Sequence, residues 1–133
     1  MFRNLAKATS IFVVMTLPAF AQDTGVEEEM QQIAAAVEAL HTKAEEGNAK
    51  AAFYLSSFYH VGMFVSPDRG TAIDYLQAAA DGGDPDGQYY LGLHHLSGVD
   101  MEKNVETGTD LIRSAAEAGH AAAKIAMDVH LNQ

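Results

Sequence analysis

The chain has no cysteine among its 133 residues. An oxidising compartment would permit disulfide bonds, but this sequence has no thiols with which to form them. The same absence excludes catalysis by a cysteine nucleophile, metal sites built from thiolates and lipidation at an N-terminal cysteine. The folded state must therefore be stabilised by non-covalent packing.

Long apolar runs are equally scarce. The run at 11–17 is too short to span a bilayer, which needs about 20 apolar residues. It follows the basic residues Arg3 and Lys7 and precedes an Ala-x-Ala pattern ending at Ala21, an order typical of a secretion signal. An uncleaved N-terminal anchor is the competing interpretation. The sequence predicts a periplasmic or secreted protein without stable membrane insertion, divided into a signal peptide at 1–21 and one domain at 22–133.

Basic residues are few, with 8 Lys and Arg against 18 Asp and Glu and a net charge of −10. Loss of the signal would remove Arg3 and Lys7, leaving 6 basic against 18 acidic residues, a balance of −12. Such a field repels polyanions, so nucleic acid is excluded as a partner. Either the partner is cationic or charge does not select it. The acidity is also explained by a need for solubility alone.

What the sequence does contain is a period of 36 residues. A fixed period in the thirties is typical of helical repeats, in which each unit covers the apolar faces of its neighbours. The pattern therefore favours a binding module over an enzyme. The period is visible in Gly47, Gly83 and Gly119, in Tyr54 and Tyr90, in Leu55 and Leu91, in Gly62 and Gly98, and in Ala44, Ala80 and Ala116.

Apolar spacing and cap residues predict an all-α fold of six helices in antiparallel pairs. Asp68, Asp84 and Asn104 are suited to N-caps, and Gly62 and Gly98 to the left-handed conformation that closes a helix. The predicted helices run from near 24 to before 47, from 49 to 61, from after 68 to about 80, from 85 to before 98, from after 104 to before 119, and from 121 to about 132.

Two segments, 51–68 and 72–83, resemble the first helix with its loop and the second helix of the Sel-one-like repeat (SLR), a relative of the tetratricopeptide repeat. Segments 87–98 and 108–119 resemble the next copy. The positions that carry the resemblance are Leu55, Tyr59, Gly62, Ala79, Ala80 and Gly83 in the first copy, and Leu91, Gly98, Ala115, Ala116 and Gly119 in the second. The resemblance implies a short right-handed α-solenoid with a half-repeat at 24–46, repeats at 47–82 and 83–118, and a terminal helix at 119–133.

Three positions depart from the repeat pattern. Ser56 replaces a glycine in the first copy, while His95 replaces a tyrosine and Gly108 an alanine in the second. The second copy is therefore expected to pack more loosely than the first.

The resemblance also implies a function. Solenoids of this kind hold proteins or peptides, often as adaptors or regulators in bacterial envelopes, without a cofactor or chemistry of their own. The alternative is a small hydrolase or ligand-binding protein for cell-wall material, because some secreted relatives are linked to β-lactam or peptidoglycan recognition. A homodimer through the last helix is a third hypothesis, since that helix is apolar on most sides away from Lys124 and Asp128.

In paired-helix solenoids the first helix of each pair lines the concave side. The stripe beside the core positions of these helices contains apolar and aromatic residues where a solvated face would be charged, which indicates an interaction surface. Burial of these side chains against one another is the alternative. The candidate groove consists of Lys50, Phe53, Ser57, His60, Asp86, Tyr89, Leu93, Leu96, Ile125 and Val129.

The other polar residues do not predict chemistry. The six histidines include no His-x-x-x-His pair, and the adjacent His94 and His95 point about 100° apart on a helix, so no metal site is predicted. The serines lack a nucleophile elbow or a Ser-x-x-Lys pairing, so no catalytic residue is predicted.

Overall fold

The six predicted helices are all present in the computed structural model of the chain, which describes residues 24–131. No strand occurs within this described range. The all-α prediction is confirmed, and the predicted signal peptide at 1–21 lies outside the described residues. The helices are α1 (Thr24–Glu45), α2 (Ala49–Val61), α3 (Arg69–Asp81), α4 (Pro85–Ser97), α5 (Val105–Glu117) and α6 (Ala121–Leu131).

The predicted caps set the helix ends. The side chains of Asp68, Asp84 and Asn104 each accept a hydrogen bond from the main-chain N–H three residues further on, in the first turns of α3, α4 and α5. Gly62 and Gly98 close α2 and α4 with φ of 79° and 74°, a left-handed conformation that costs glycine little. These local interactions recur in both repeats and give them the same helix lengths.

The core repeats with the period of the sequence. Helix α2 packs against α3 and α4 against α5, and the pairs are stacked because α3 also packs on α4 and α5 on α6. Leu55 and Leu91, one period apart, are both fully buried. Ala79 and Ala115 are fully buried at the equivalent place on α3 and α5, where small side chains let the neighbouring helix approach. Each 36-residue unit therefore adds one layer to the core.

The second repeat is tightly packed where α4 crosses α5. A Cβ on Gly92 would lie 2.9 Å from the main-chain oxygen of Gly108, and a Cβ on Gly108 would lie 2.8 Å from that of Gly92. The first repeat has Ser56 and Ala72 at these two positions. Because the backbones meet with no room for a side chain, the expectation of a looser second copy is wrong at this crossing.

A buried histidine joins α1 to the first repeat. His41 is 6% exposed, and its Nδ1 is hydrogen-bonded to the Tyr75 hydroxyl at 2.9 Å. Its ring meets those of Tyr59 and Tyr75 edge-on, with centroids 5.9 and 5.8 Å apart. Burial lowers the pKa of His41 more than the nearby Glu38 and Glu45 raise it, and burial raises the pKa of Tyr75 to about 12. A neutral aromatic cluster therefore attaches α1 at neutral pH.

The other end of the solenoid is charged. A hollow between α5 and α6 is lined by Arg113, Glu117, Lys124 and Asp128, among others. The equivalent surface one repeat earlier lies on α3 and α4. There it is covered in part by Leu111 of α5, which packs against it. Among the described residues, charged side chains thus lie on α5 and α6 at the place that α5 covers one repeat earlier.

Candidate binding surface

Two aromatic residues of the predicted groove are half-buried between repeats. The Phe53 ring stacks on Tyr90 with centroids 5.9 Å apart, and the Tyr89 ring stacks on His120 at 4.3 Å. Both also pack against buried apolar clusters. Phe53 and Tyr89 thus join each repeat to the next element, which is the mutual burial that the sequence left open.

An ionic chain links the starts of α2, α4 and α6. Lys50 forms an ion pair with Asp86 and its Nζ lies 3.4 Å from Oδ1 of Asp84, and the hydrogen bond to Asp86 raises the pKa of Lys50. Asp86 Oδ1 lies 3.2 Å from Nε2 of His120. Nδ1 of His120 accepts a hydrogen bond from the main-chain N–H of Ala123 at 3.1 Å, which leaves Nε2 as the ring nitrogen that faces Asp86. The predicted groove residues Lys50 and Asp86 therefore connect successive layers.

Three apolar residues of the predicted groove are exposed. Leu93 on α4 is 38% exposed, and Ile125 and Val129 on α6 are 64% and 57% exposed. Ile125 occupies the phase of Phe53 and Tyr89, but no helix follows α6 within the described range to cover it. Within the described residues, α6 therefore presents an exposed apolar surface.

Three adjoining hollows run across α2, α4 and α6, and we call them together the furrow. The first pocket, between α2, α3 and α4, has a volume of about 240 Å³ and is lined by residues that include Phe53, Ser57, His60, Ile73, Leu76 and Tyr90. The middle trough, of about 680 Å³, is lined by residues that include His60, Arg69, Tyr90, Leu93, Leu96 and Asp100. The second pocket, between α4, α5 and α6, has a volume of about 200 Å³ and is lined by Leu96, Val105, Thr109, Ile112, Ala126 and Met127.

The three hollows adjoin one another, because neighbouring hollows share lining residues. His60, Tyr90 and His94 line both the first pocket and the middle trough, and Leu96 lines both the trough and the second pocket. The structure thus brings five predicted groove residues onto one surface. They are Phe53, Ser57, His60, Leu93 and Leu96.

Sequence reasoning missed Tyr90 and His94, which lie at the centre of the furrow. The available signal was the recurrence of tyrosine at 54 and 90 in one phase of the repeat. Tyr54 and Tyr90 are 45% and 48% exposed, so about half of each side chain is open to solvent. His60 and His94 are far apart in sequence but face the same two hollows.

Charge is segregated between the two sets of helices. Helices α2, α4 and α6 together carry two acidic residues, Asp86 and Asp128, and two basic ones, Lys50 and Lys124. Helices α1, α3 and α5 together carry 10 acidic residues against 3 basic ones. Among the helices, the acidity is therefore concentrated on α1, α3 and α5.

The described residues show neither a metal cluster nor a membrane span. Across residues 25–129, no three His, Asp or Glu side chains converge so as to hold a metal ion. Within the helices of the described range, none combines the length and apolar character needed to cross a bilayer.

Two consecutive matches to the family model of the Sel1 repeat cover residues 49–84 and 85–120. The chain belongs to the Sel1 repeat family. This is the Sel-one-like repeat that the sequence resembles, so that recognition is confirmed. Each matched unit spans one 36-residue period, with boundaries two residues later than the units 47–82 and 83–118.

Solved Sel1 repeat structures share this fold. A Sel1 repeat protein from Oxalobacter formigenes matches with a TM-score of 0.63 and 31% identity, over 66% of this chain and 66% of that chain. A protective antigen present in uropathogenic Escherichia coli strains, displaying an SLR fold, matches with a TM-score of 0.61 and 21% identity, over 68% of this chain and 19% of that chain. The α-solenoid prediction is therefore confirmed, while the second likeness concerns the fold alone. Among curated proteins, no sequence matches.

Proposed function

We propose that this Sel1 repeat protein is an exported, non-enzymatic module that holds another protein or a peptide on the inner surface of α2, α4 and α6. The observation that carries the proposal is that Tyr90 and Leu93, which are exposed aromatic and aliphatic side chains, line the hollows of the furrow. An apolar patch on an otherwise acidic protein is typical of a contact surface. The solenoid supplies rigid presentation, because its layers are tied together by the aromatic stacks and the ionic chain.

The binding proposal is tested with substitutions in exposed residues, because Phe53 and Tyr89 also stabilise the fold. Peptides are selected from a random display library with the purified protein, and their dissociation constants are measured by fluorescence anisotropy. Leu93→Ser should weaken binding about tenfold or more, as truncation of a residue at the centre of an interface does. Ile33→Ser on α1 is the matched control, since Ile33 and Leu93 are both 38% exposed.

Retention of full affinity by the Leu93→Ser protein, with its helix content unchanged by circular dichroism, would contradict binding at this surface. A selection that enriches no peptide would contradict the peptide-binding function itself.

Export is supported by the basic start, the short apolar run and the Ala-x-Ala pattern of residues 1–21. The expected mature protein begins at Gln22 and is recovered from the periplasm or the medium. Mass spectrometry of the protein expressed with its full sequence measures the start directly. A cytoplasmic product that retains Met1 or Phe2 would contradict the proposal.

The cell-wall hydrolase remains the alternative, and the furrow offers a direct check of it. Ser57 and His60 line the same pocket, but the Ser57 hydroxyl donates to the Phe53 carbonyl at 3.2 Å. Ser97 likewise donates to the Leu93 carbonyl at 2.8 Å. These hydroxyls are engaged with their own helices, which favours binding over catalysis. Turnover of peptidoglycan fragments that is abolished by Ser57→Ala would reverse this ranking.

A further inference from the structure

We infer that the furrow receives an uncharged peptide segment through two apolar side chains, one in each of its end pockets. The inference rests on the proposed binding function and specifies the chemistry of the partner. It is drawn from the charge of the furrow, from the equivalence of its two pockets and from their different walls.

Among its described lining residues, the furrow offers no unpaired full charge to a ligand. Arg69 and Asp100 are its only fully charged side chains among the described lining residues, and they pair with each other at 3.1 Å. A charged peptide would therefore lose hydration on entering without finding an unpaired counter-charge. The rest of the lining is apolar, aromatic or neutral polar, as suits a segment without charge.

The two pockets are the same site repeated one period apart. Their volumes, about 240 and 200 Å³, are below the range of about 300–1,000 Å³ that is usual for whole small molecules. Each is therefore suited to one large side chain. The equivalent wall positions are His60 and Leu96, Ile73 and Thr109, Leu76 and Ile112, and Tyr90 and Ala126.

Different walls give the pockets different preferences. The first pocket has the rings of Phe53 and Tyr90 with His60 at its edge, which suits an aromatic side chain with a polar tip. The second has Ala126 in place of Tyr90 and Leu96 in place of His60, which suits a branched aliphatic side chain.

The spacing of the pockets sets the spacing of the two anchors. Packed helices lie about 8–10 Å apart, so pockets one layer apart are separated by on the order of 10 Å. An extended chain advances about 3.3 Å per residue. Since successive side chains of an extended segment point to opposite faces, the two anchors should be an even number of residues apart, about two or four.

The test uses fluorescein-labelled peptides of twelve residues with the purified protein. The reference peptide has Tyr and Leu four residues apart in a neutral Ser, Gly and Gln background. Further peptides replace Tyr or Leu with Ser, move the two anchors next to each other, or add two Lys or two Glu beside them. Anisotropy at two salt concentrations gives each dissociation constant.

The reference peptide should bind at least about tenfold more tightly than every altered peptide. Tyr90→Ser and Ala126→Glu should each weaken it about tenfold or more, while Ile33→Ser should not. Tyr90→Ser should not weaken the binding of the peptide that lacks Tyr, and Ala126→Glu should not weaken the binding of the peptide that lacks Leu. The reason is that each substitution removes the site of one anchor.

Tighter binding of the Lys peptide, weakened by salt, would overturn the inference and leave the peptide-binding function standing. Equal affinity for peptides with one or two anchors would also overturn it. Binding of none of these peptides, although the display selection succeeds, would overturn the inference alone, whereas failure of both experiments would overturn the function as well.

Discussion

Replacing Gly92 with alanine should destabilise the protein, although alanine is the better helix former. The new Cβ would lie 2.8 Å from Cγ1 of Ile112 and 2.9 Å from the main-chain oxygen of Gly108. Ile112 is buried and Gly108 contributes backbone, so neither neighbour can simply rotate into solvent. The helices α4 and α5 must separate locally to accept the methyl group.

Two opposing terms set the magnitude. Alanine in place of glycine stabilises a helix interior by about 0.8–1.0 kcal/mol. Inserting a methyl group into a closely packed contact costs about 1–3 kcal/mol. The difference is a net loss of about 1 kcal/mol in the free energy of unfolding, which corresponds to a decrease in Tm of about 4–8 °C for a domain near this size.

The control is Gly70→Ala in the first turn of α3. The nearest atom to a Cβ there is Oδ1 of Asp68 at 3.4 Å, which is ordinary contact, so this variant keeps the helix term without the clash. Urea unfolding followed by circular dichroism gives both free energies. The Gly70→Ala protein should be as stable as the wild type or slightly more stable. If Gly92→Ala matched it, the close crossing of α4 and α5 would not exist in solution.

Two further predictions concern contacts that join one helix layer to the next. Because burial lowers the pKa of His41 in the folded chain, the unfolded chain binds more protons as the pH falls through about 6.5. Stability should therefore be fully present well above that pH and decrease as the pH falls through and below it. His41→Gln, which introduces the residue found one period later at Gln77, should reduce this dependence on pH in urea unfolding. Equal slopes would contradict the burial of a neutral His41. Lys50→Met should lower the free energy of unfolding by less than about 1 kcal/mol, because the Lys50–Asp86 pair is partly exposed and such pairs contribute little. A larger loss in the same urea assay would contradict this and show that the ionic chain governs the stacking of the layers.

Most of the fold could be predicted because its determinants are local. A cap such as Asp68 or Asn104 bonds to an N–H three residues away, so sequence spacing alone reveals it. The contacts that escaped prediction join residues far apart in the chain. His41 meets Tyr75 across 34 residues, and the pair lies where α1 departs from the repeat pattern. In the sequence, Gly108 suggests loose packing of the second repeat. A missing side chain by itself, however, does not show whether the position is an empty space or a close approach of two helix backbones.

The sequence could predict which face of each helix forms the candidate surface, but not how deeply each side chain on that face is buried. Helical spacing places Phe53, Tyr89 and Ile125 on one stripe, and the structure keeps them in one phase of the repeat. Their burial differs because each depends on the next layer for its cover: Tyr90 stacks on Phe53, His120 stacks on Tyr89, and Ile125 at the end of the stack remains 64% exposed. The burial of a side chain depends on the neighbouring layer, and the spacing of residues within one helix carries no information about that layer.

The charge of the whole chain is a poor guide to the ligand of the furrow, and the distribution of charge explains why. The acidic residues of α1, α3 and α5 create a field that acts over roughly a Debye length, about 8 Å at physiological salt. That field governs which molecules approach and how fast they do so. Affinity, by contrast, is set by the side chains that are desolvated on contact, and in the furrow these are apolar around a self-paired Arg69 and Asp100. A net charge of −10 can therefore repel acidic molecules at a distance while the contact surface itself selects an uncharged segment.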